Sequence, residues 1–159
     1  MATSGENAYE VHKAAIGRPE GSGDWFEVDQ ARIDAFAEVT EDRQFIHVDP
    51  AKAAELSPWG VPIAHGFLTL SMLTHLASSL PQDPRALEGM VMGVNYGFDK
   101  VRFVAPVKVG SRVRTSSVLS AVDQKDANTL QITRTMTVEI EGEAKPALVA
   151  EWVTRQVYA

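Results

Sequence analysis

The stretch from Phe67 to Leu80 (FLTLSMLTHLASSL) places Phe67, Leu70, Leu73, Leu76, Ala77 and Leu80 at helical spacing, with apolar side chains pointing in nearly every direction around the axis. A helix that is apolar nearly all round is buried rather than laid on a surface, so the rest of the chain must wrap it. It is predicted to begin near Gly66, after the turn residues Pro58, Gly60 and Pro62, and to end before Pro81. Thr69, Ser71, Thr74, His75 and Ser78 interrupt it, and it falls short of the ~20 residues of a membrane span. It reads as the core helix of a water-soluble fold.

The wrapper is a series of strand-like segments. From Leu130 to Ile140, Leu130, Ile132, Met136, Val138 and Ile140 alternate with Gln131, Thr133, Thr135, Thr137 and Glu139, which predicts a strand with one wet face. Met90 to Tyr96, Phe98 to Ala105, Val113 to Val122 and Leu148 to Val157 are similar, and hairpin-length connections predict an antiparallel sheet. Upstream, Asp29 is an N-cap candidate for a helix carrying Ile33, Phe36, Ala37 and Thr40 and ending near Glu41. Asp49 followed by Pro50 opens a short helix through Leu56. The expected architecture is α+β, in one domain spanning residues 1–159, with helices first and then an antiparallel sheet folded around one buried helix. Residues 1–10 are small and polar and read as a flexible tail; Gly17 to Asp24 reads as a loop.

A net charge of −6 argues against a general nucleic-acid binder. The one basic stretch, Lys100, Arg102, Lys108, Arg112 and Arg114, has two readings: a patch that meets an anionic ligand, or a solvated strand surface. With no cysteine, disulfides and thiolate chemistry are absent. The first residues lack a basic start followed by an apolar run, so no secretory signal is read and the cytoplasm is the expected compartment.

Two short segments carry candidate chemistry. Asp42 and His47 stand five residues apart between two predicted helices, where a bend through Phe45 and Ile46 can aim both side chains at one water. If those two apolar residues turn inward, burial raises the Asp42 pKa and lowers that of His47. The alternative is that Asp42 caps a helix end and His47 is a satisfied core histidine. The second segment is Ala64-His65-Gly66, at the mouth of the central helix. Free N–H groups there carry partial positive charge, and a glycine admits a ligand carbonyl; the alternative is that Gly66 serves backbone packing. His47, His65 and His75 lack the i, i+4 spacing of a metal pair, Gly21-Ser22-Gly23 lacks the third glycine of a dinucleotide fingerprint, and no Gly-x-Ser-x-Gly elbow occurs. No metal site is expected.

The run Asp42-Arg43-Gln44-Phe45-Ile46-His47 resembles the hydratase motif of the MaoC-like, (R)-specific enoyl-CoA hydratases, Gly-Asp-x-Asn-Pro-(Leu/Ile/Val)-His. Glu41 stands for the glycine, Gln44 for the asparagine and Phe45 for the proline. Ile63 to Leu68 is similar to that family's His-Gly segment. Gly93 to Phe103, followed by Pro106-Val107 and Gly110, resembles the NodN-like branch. The resemblance implies a hot-dog fold, a homodimer with its sites at the subunit interface, and hydration or dehydration of acyl thioesters with no metal or redox cofactor. In its terms Asp42 and His47 activate a water and the Gly66 amide holds the thioester carbonyl. Ser71, from the polar stripe Ser71, Thr74 and Ser78, is the candidate for the acyl tunnel, while Asn95, Lys100 and Arg102 are candidates for the substrate head or the CoA phosphates. A hot-dog thioesterase and a non-catalytic acyl-thioester-binding module are the competing readings.

Overall fold

A computed structural model describes residues 2–159. Its elements run α1 (Ser4–Ala15), β1 (Pro19–Ser22), β2 (Phe26–Glu27), α2 (Gln30–Thr40), α3 (Phe45–Val48), α4 (Pro50–Leu56), α5 (Gly66–Ser71), α6 (Leu73–Ala77), α7 (Pro84–Leu87), β3 (Met90–Phe103), β4 (Arg112–Asp126), β5 (Thr129–Ile140) and β6 (Leu148–Tyr158). The strands form one antiparallel sheet in the order β1-β4-β5-β6-β3, with β2 also paired to β4. The two segments expected from Met90 to Ala105 are one long strand, bulged around Lys100, whose φ is 52°.

Alternation in β5 sets which face is buried. Thr115, Val138 and Leu148 stand side by side across β4, β5 and β6, as do Ser117, Met136 and Ala150, and all six are buried. Onto this face α5 and α6 press Leu68, Met72, Leu73 and Leu76, each buried leucine contributing roughly 1.5–3 kcal/mol. The two short helices are the predicted core helix, jointed at Met72, which keeps right-handed helical angles. The helix is not wrapped all round, however. Phe67, Ser71 and Thr74 are exposed, on a strip beside edge strand β3 where, among the described residues, Phe67 meets the Phe103 ring at 5.7 Å between centroids.

The expected tail is a helix for most of its length. Thr3 caps α1 by accepting from the Glu6 amide at 3.2 Å, while the Glu6 carboxylate accepts from the Thr3 amide at 2.8 Å. This reciprocal capping box is a four-residue signal that composition hides. The helix buries Ala8 against Leu119, Val122, Leu130, Ile132 and Tyr158, a second core on the same sheet face. Between the two cores β5 carries Arg134, whose guanidinium meets Glu20 at 2.9 Å.

Three of the five cations in the basic stretch meet carboxylates from neighbouring segments of the chain. Lys100 pairs with Glu151, Arg112 with Glu141 and Arg114 with Glu139, while Arg114 also covers the Trp25 ring at 4.4 Å. No helix among the described residues is long and apolar enough to cross a membrane.

Candidate active site

The loop bearing Asp42 is held at both ends by caps. The α2 helix starts on Asp29, whose carboxylate accepts from the Arg32 amide at 2.9 Å, and stops at Glu41, which takes the left-handed conformation with φ 62°. A residue with a side chain is disfavoured there, and glycine is the usual occupant. Arg43 donates to both Glu38 and Glu41, clamping the turn that Glu41 makes. The Asp49 carboxylate then accepts from the Lys52 amide at 3.0 Å, with Pro50 opening α4.

Between these caps Phe45–Val48 is a single helical turn rather than the expected bend. His47 projects inward from it and is 6% exposed. Its Nδ1 lies 2.7 Å from the Ile63 carbonyl oxygen. An imidazole nitrogen can meet a carbonyl only by donating, so Nδ1 carries the proton and a neutral ring keeps a lone pair on Nε2. Burial, with the His65 ring adding to it, holds the His47 pKa below the ordinary imidazole value, against the raising influence of the Ile63 bond and Asp42. The expected burial of Asp42 is not found. Asp42 is exposed, and Phe45 and Ile46 are only half-buried.

The second segment is stitched to the first. Ile63 donates its amide to the Ile46 carbonyl at 2.9 Å and Ala64 donates to Val107 at 2.7 Å, so residues 63–64 bridge α3 and the chain after β3. Gln30 reaches from α2 to donate to the His47 carbonyl at 2.8 Å. His65 is the N-cap of α5, and its carbonyl accepts from Leu68 and Thr69. Gly66, the first helical residue, has an amide with no intrahelical partner. A Cβ there would meet the Phe103 ring at 3.0 Å, so a side chain at this position would have to push that ring aside. Gly66 and Phe103 line a cleft of about 280 Å³ with Trp59, Ile63 and Thr69. Trp59 is a lining residue that sequence reasoning missed, since nothing in its local pattern separates it from a turn residue.

Asp42, His47 and His65 offer donor atoms that all lie within 4.8 Å of one another, close enough to share one water or a small cation. The sequence spacing did not reveal this trio, because the His47 and His65 rings meet by stacking, with centroids 3.8 Å apart, from separate elements. The dyad itself adjoins the Gly66 cleft rather than lining it.

The remaining candidates are dispersed. The Ser71 hydroxyl is exposed and donates back to the Phe67 carbonyl at 2.7 Å. Asn95 lines a separate groove of about 250 Å³ with Thr74, Ala77, Ser78 and Trp152, so the polar stripe meets a cavity through Thr74 and Ser78 rather than Ser71. Lys100 sits in the β3 bulge beside Glu151, and Arg102 is exposed, donating to the Val101 carbonyl at 2.7 Å.

Comparison with known proteins places this geometry in a family. The family model described as "MaoC like domain" matches residues 11–141. Nodulation protein N of Rhizobium leguminosarum bv. viciae is 51% identical over 140 residues, covering 87% of this chain and 84% of that protein. The 3-hydroxyacyl-thioester dehydratase Z of Mycobacterium tuberculosis is 46% identical over 144 residues, covering 91% and 92% respectively. In fold, the (R)-hydratase from A. caviae superimposes with a TM-score of 0.65 at 24% identity, over 87% of this chain and 94% of that one. The chain therefore belongs to the MaoC-like dehydratase family, and is a hydro-lyase of the hot-dog fold.

Proposed function

We propose that this chain is an (R)-specific enoyl-CoA hydratase acting reversibly as a 3-hydroxyacyl-thioester dehydratase, with Asp42 and His47 activating the water. The observation that carries the reading is the Nδ1 bond from His47 to Ile63, which leaves the Nε2 lone pair free beside a carboxylate. A water held by that pair loses a proton to it as its oxygen bonds to the β-carbon of a trans-2-enoyl thioester. The π electrons move onto the thioester oxygen as an enolate, which the unpaired Gly66 amide stabilises, a contribution of several kcal/mol in comparable sites. The enolate collapses as a proton is returned to the α-carbon, so one water is added and no electrons are exchanged with a cofactor. The addition is redox-neutral and needs no metal or redox group.

Asn95 and Ser71 are proposed to border the acyl path, and Lys100 and Arg102 to meet the phosphates of a CoA head in a cytoplasmic enzyme. A homodimer through β3 is proposed from the edge itself. Among the described residues this strand pairs only with β6, and it exposes Val91, Met92, Val94 and Tyr96 beside Phe67 and Phe103, an apolar surface that a second copy covers. Incubation with crotonyl-CoA tests the function. The expected result is loss of the conjugated enoyl absorbance without release of free thiol, giving the (R)-3-hydroxy product on chiral analysis. Thiol release with the chromophore intact overturns the reading in favour of a thioesterase, and no change at all overturns it in favour of a binding module.

A further inference from the structure

His65 has no role in the chemistry just described, yet it touches both halves of the pair. It is 2% exposed. Its Nε2 lies 2.9 Å from the Asp42 backbone carbonyl oxygen, to which it must donate. Its ring stacks on His47 with an interplanar angle of 24° and is backed on another side by Phe36, at 4.9 Å between centroids. Its Nδ1 is buried and has no hydrogen-bond partner among the described residues. Donation from Nε2 leaves Nδ1 in a neutral ring as a bare lone pair, the form least penalised where no acceptor is at hand.

We infer that His65 is a positioning residue that fixes the separation of Asp42 and His47. The argument is geometric. Asp42 lies in a loop with an exposed side chain, and the clamps described above act on Glu41 and Arg43, not on Asp42 itself. The His65 bond is the contact that ties the Asp42 peptide to the packed interior, and the stacked ring is the surface on which His47 rests. The same residue is the N-cap of α5, so the Gly66 amide moves with it. One rigid imidazole thus couples all three proposed groups: carboxylate, base and carbonyl donor. Misplacement on the order of 1 Å in such an array costs about 100-fold in rate.

This inference rests on the hydratase reading, and the test separates the two. Wild-type protein is first assayed on crotonyl-CoA; absence of hydration there defeats the function itself, and with it this role. Given an active wild type, His65→Phe keeps the stacked ring and removes the donor, while His65→Gln keeps an amide donor and removes the ring. The expected result for His65→Phe is a fall of about 100-fold in kcat with KM changed far less, and for His65→Gln, which restores the donor but not the stacked support under His47, a clearly smaller fall at similar melting temperature. An unchanged kcat in His65→Phe overturns the inference, as does an equal loss in both variants. In the wild type, ring ¹⁵N shifts are expected to show a proton on Nε2 of His65. A ring with no proton on Nε2 overturns it without recourse to any variant.

Discussion

Two histidines of this chain, His12 and His47, are equally buried, each 6% exposed, and both are held below the ordinary imidazole pKa chiefly by that burial. Their surroundings differ in one respect. His12 meets Gln156 at 3.1 Å, and Gln156 is shared with the Tyr158 hydroxyl at 2.7 Å, within a seam that also holds the Arg134–Glu20 pair and Ser117. These groups bond to one another between two apolar cores. His47 spends its one proton on a backbone carbonyl and keeps a lone pair beside an exposed carboxylate, while its neighbour His65 keeps a buried nitrogen without a partner. Each ring makes one hydrogen bond among the described residues, so neither burial nor bonding alone marks a reactive histidine; what sets His47 apart is that its donor atoms lie within 4.8 Å of those of Asp42 and His65.

The contrast is broken most directly at His47. His47→Gln, and separately Asp42→Asn, are expected to lower hydration of crotonyl-CoA by about 100-fold to 10,000-fold, the usual worth of a positioned proton acceptor, with unchanged circular dichroism. Hydration at the wild-type rate would return His47 to the same class as His12. At the other site, His12→Leu is expected to cost about 0.5–1.5 kcal/mol in a urea melt, because one hydrogen bond is lost while Gln156 keeps the Tyr158 hydroxyl, and kcat per folded molecule stays at the wild-type value.

Acid should then separate the two again. Because burial lowers both pKa values in the folded chain, the unfolded chain takes up these protons first. The stability contributed is complete above about pH 6.5 and declines as pH falls below it toward the folded values. Urea melts from pH 8 to 5 are expected to show that decline, and His12→Leu to flatten it in part. The rate profile should instead follow His47 and hold level to below pH 6.5. A rate that already falls above that value would assign the acid limb to another group. The smallest effect is expected at the loop that carries Asp42. Glu41→Gly removes left-handed strain of about 1–2 kcal/mol but restores backbone entropy to the unfolded state, so the net gain is at most about 1 kcal/mol.

Much of the scaffold was legible because its signals are local. The caps at Asp29 and Asp49, the stop at Glu41 and the alternation from Leu130 to Ile140 depend on neighbours within a few residues, and the structure keeps all of them. The capping box of Thr3 and Glu6 was equally local but was outweighed by polar composition. The open strip of the core helix could not be read from periodicity, because a face left for a neighbouring surface carries the same apolar residues as one buried within the chain.

By itself, then, the sequence determined the α+β architecture, the helix that the sheet wraps, and the placing of Asp42, His47 and Gly66 at the ends of elements, since backbone preference and side-chain period act over short range. Only the tertiary structure decided which of those groups retain free capacity. The tautomer of His47 depends on a carbonyl 16 residues away, and the place of Asp42 depends on a ring 23 residues away. Such contacts form only when separate elements pack, so the opening helix residues 65 and 66 became part of a site through their packing neighbours rather than through their place in the motif.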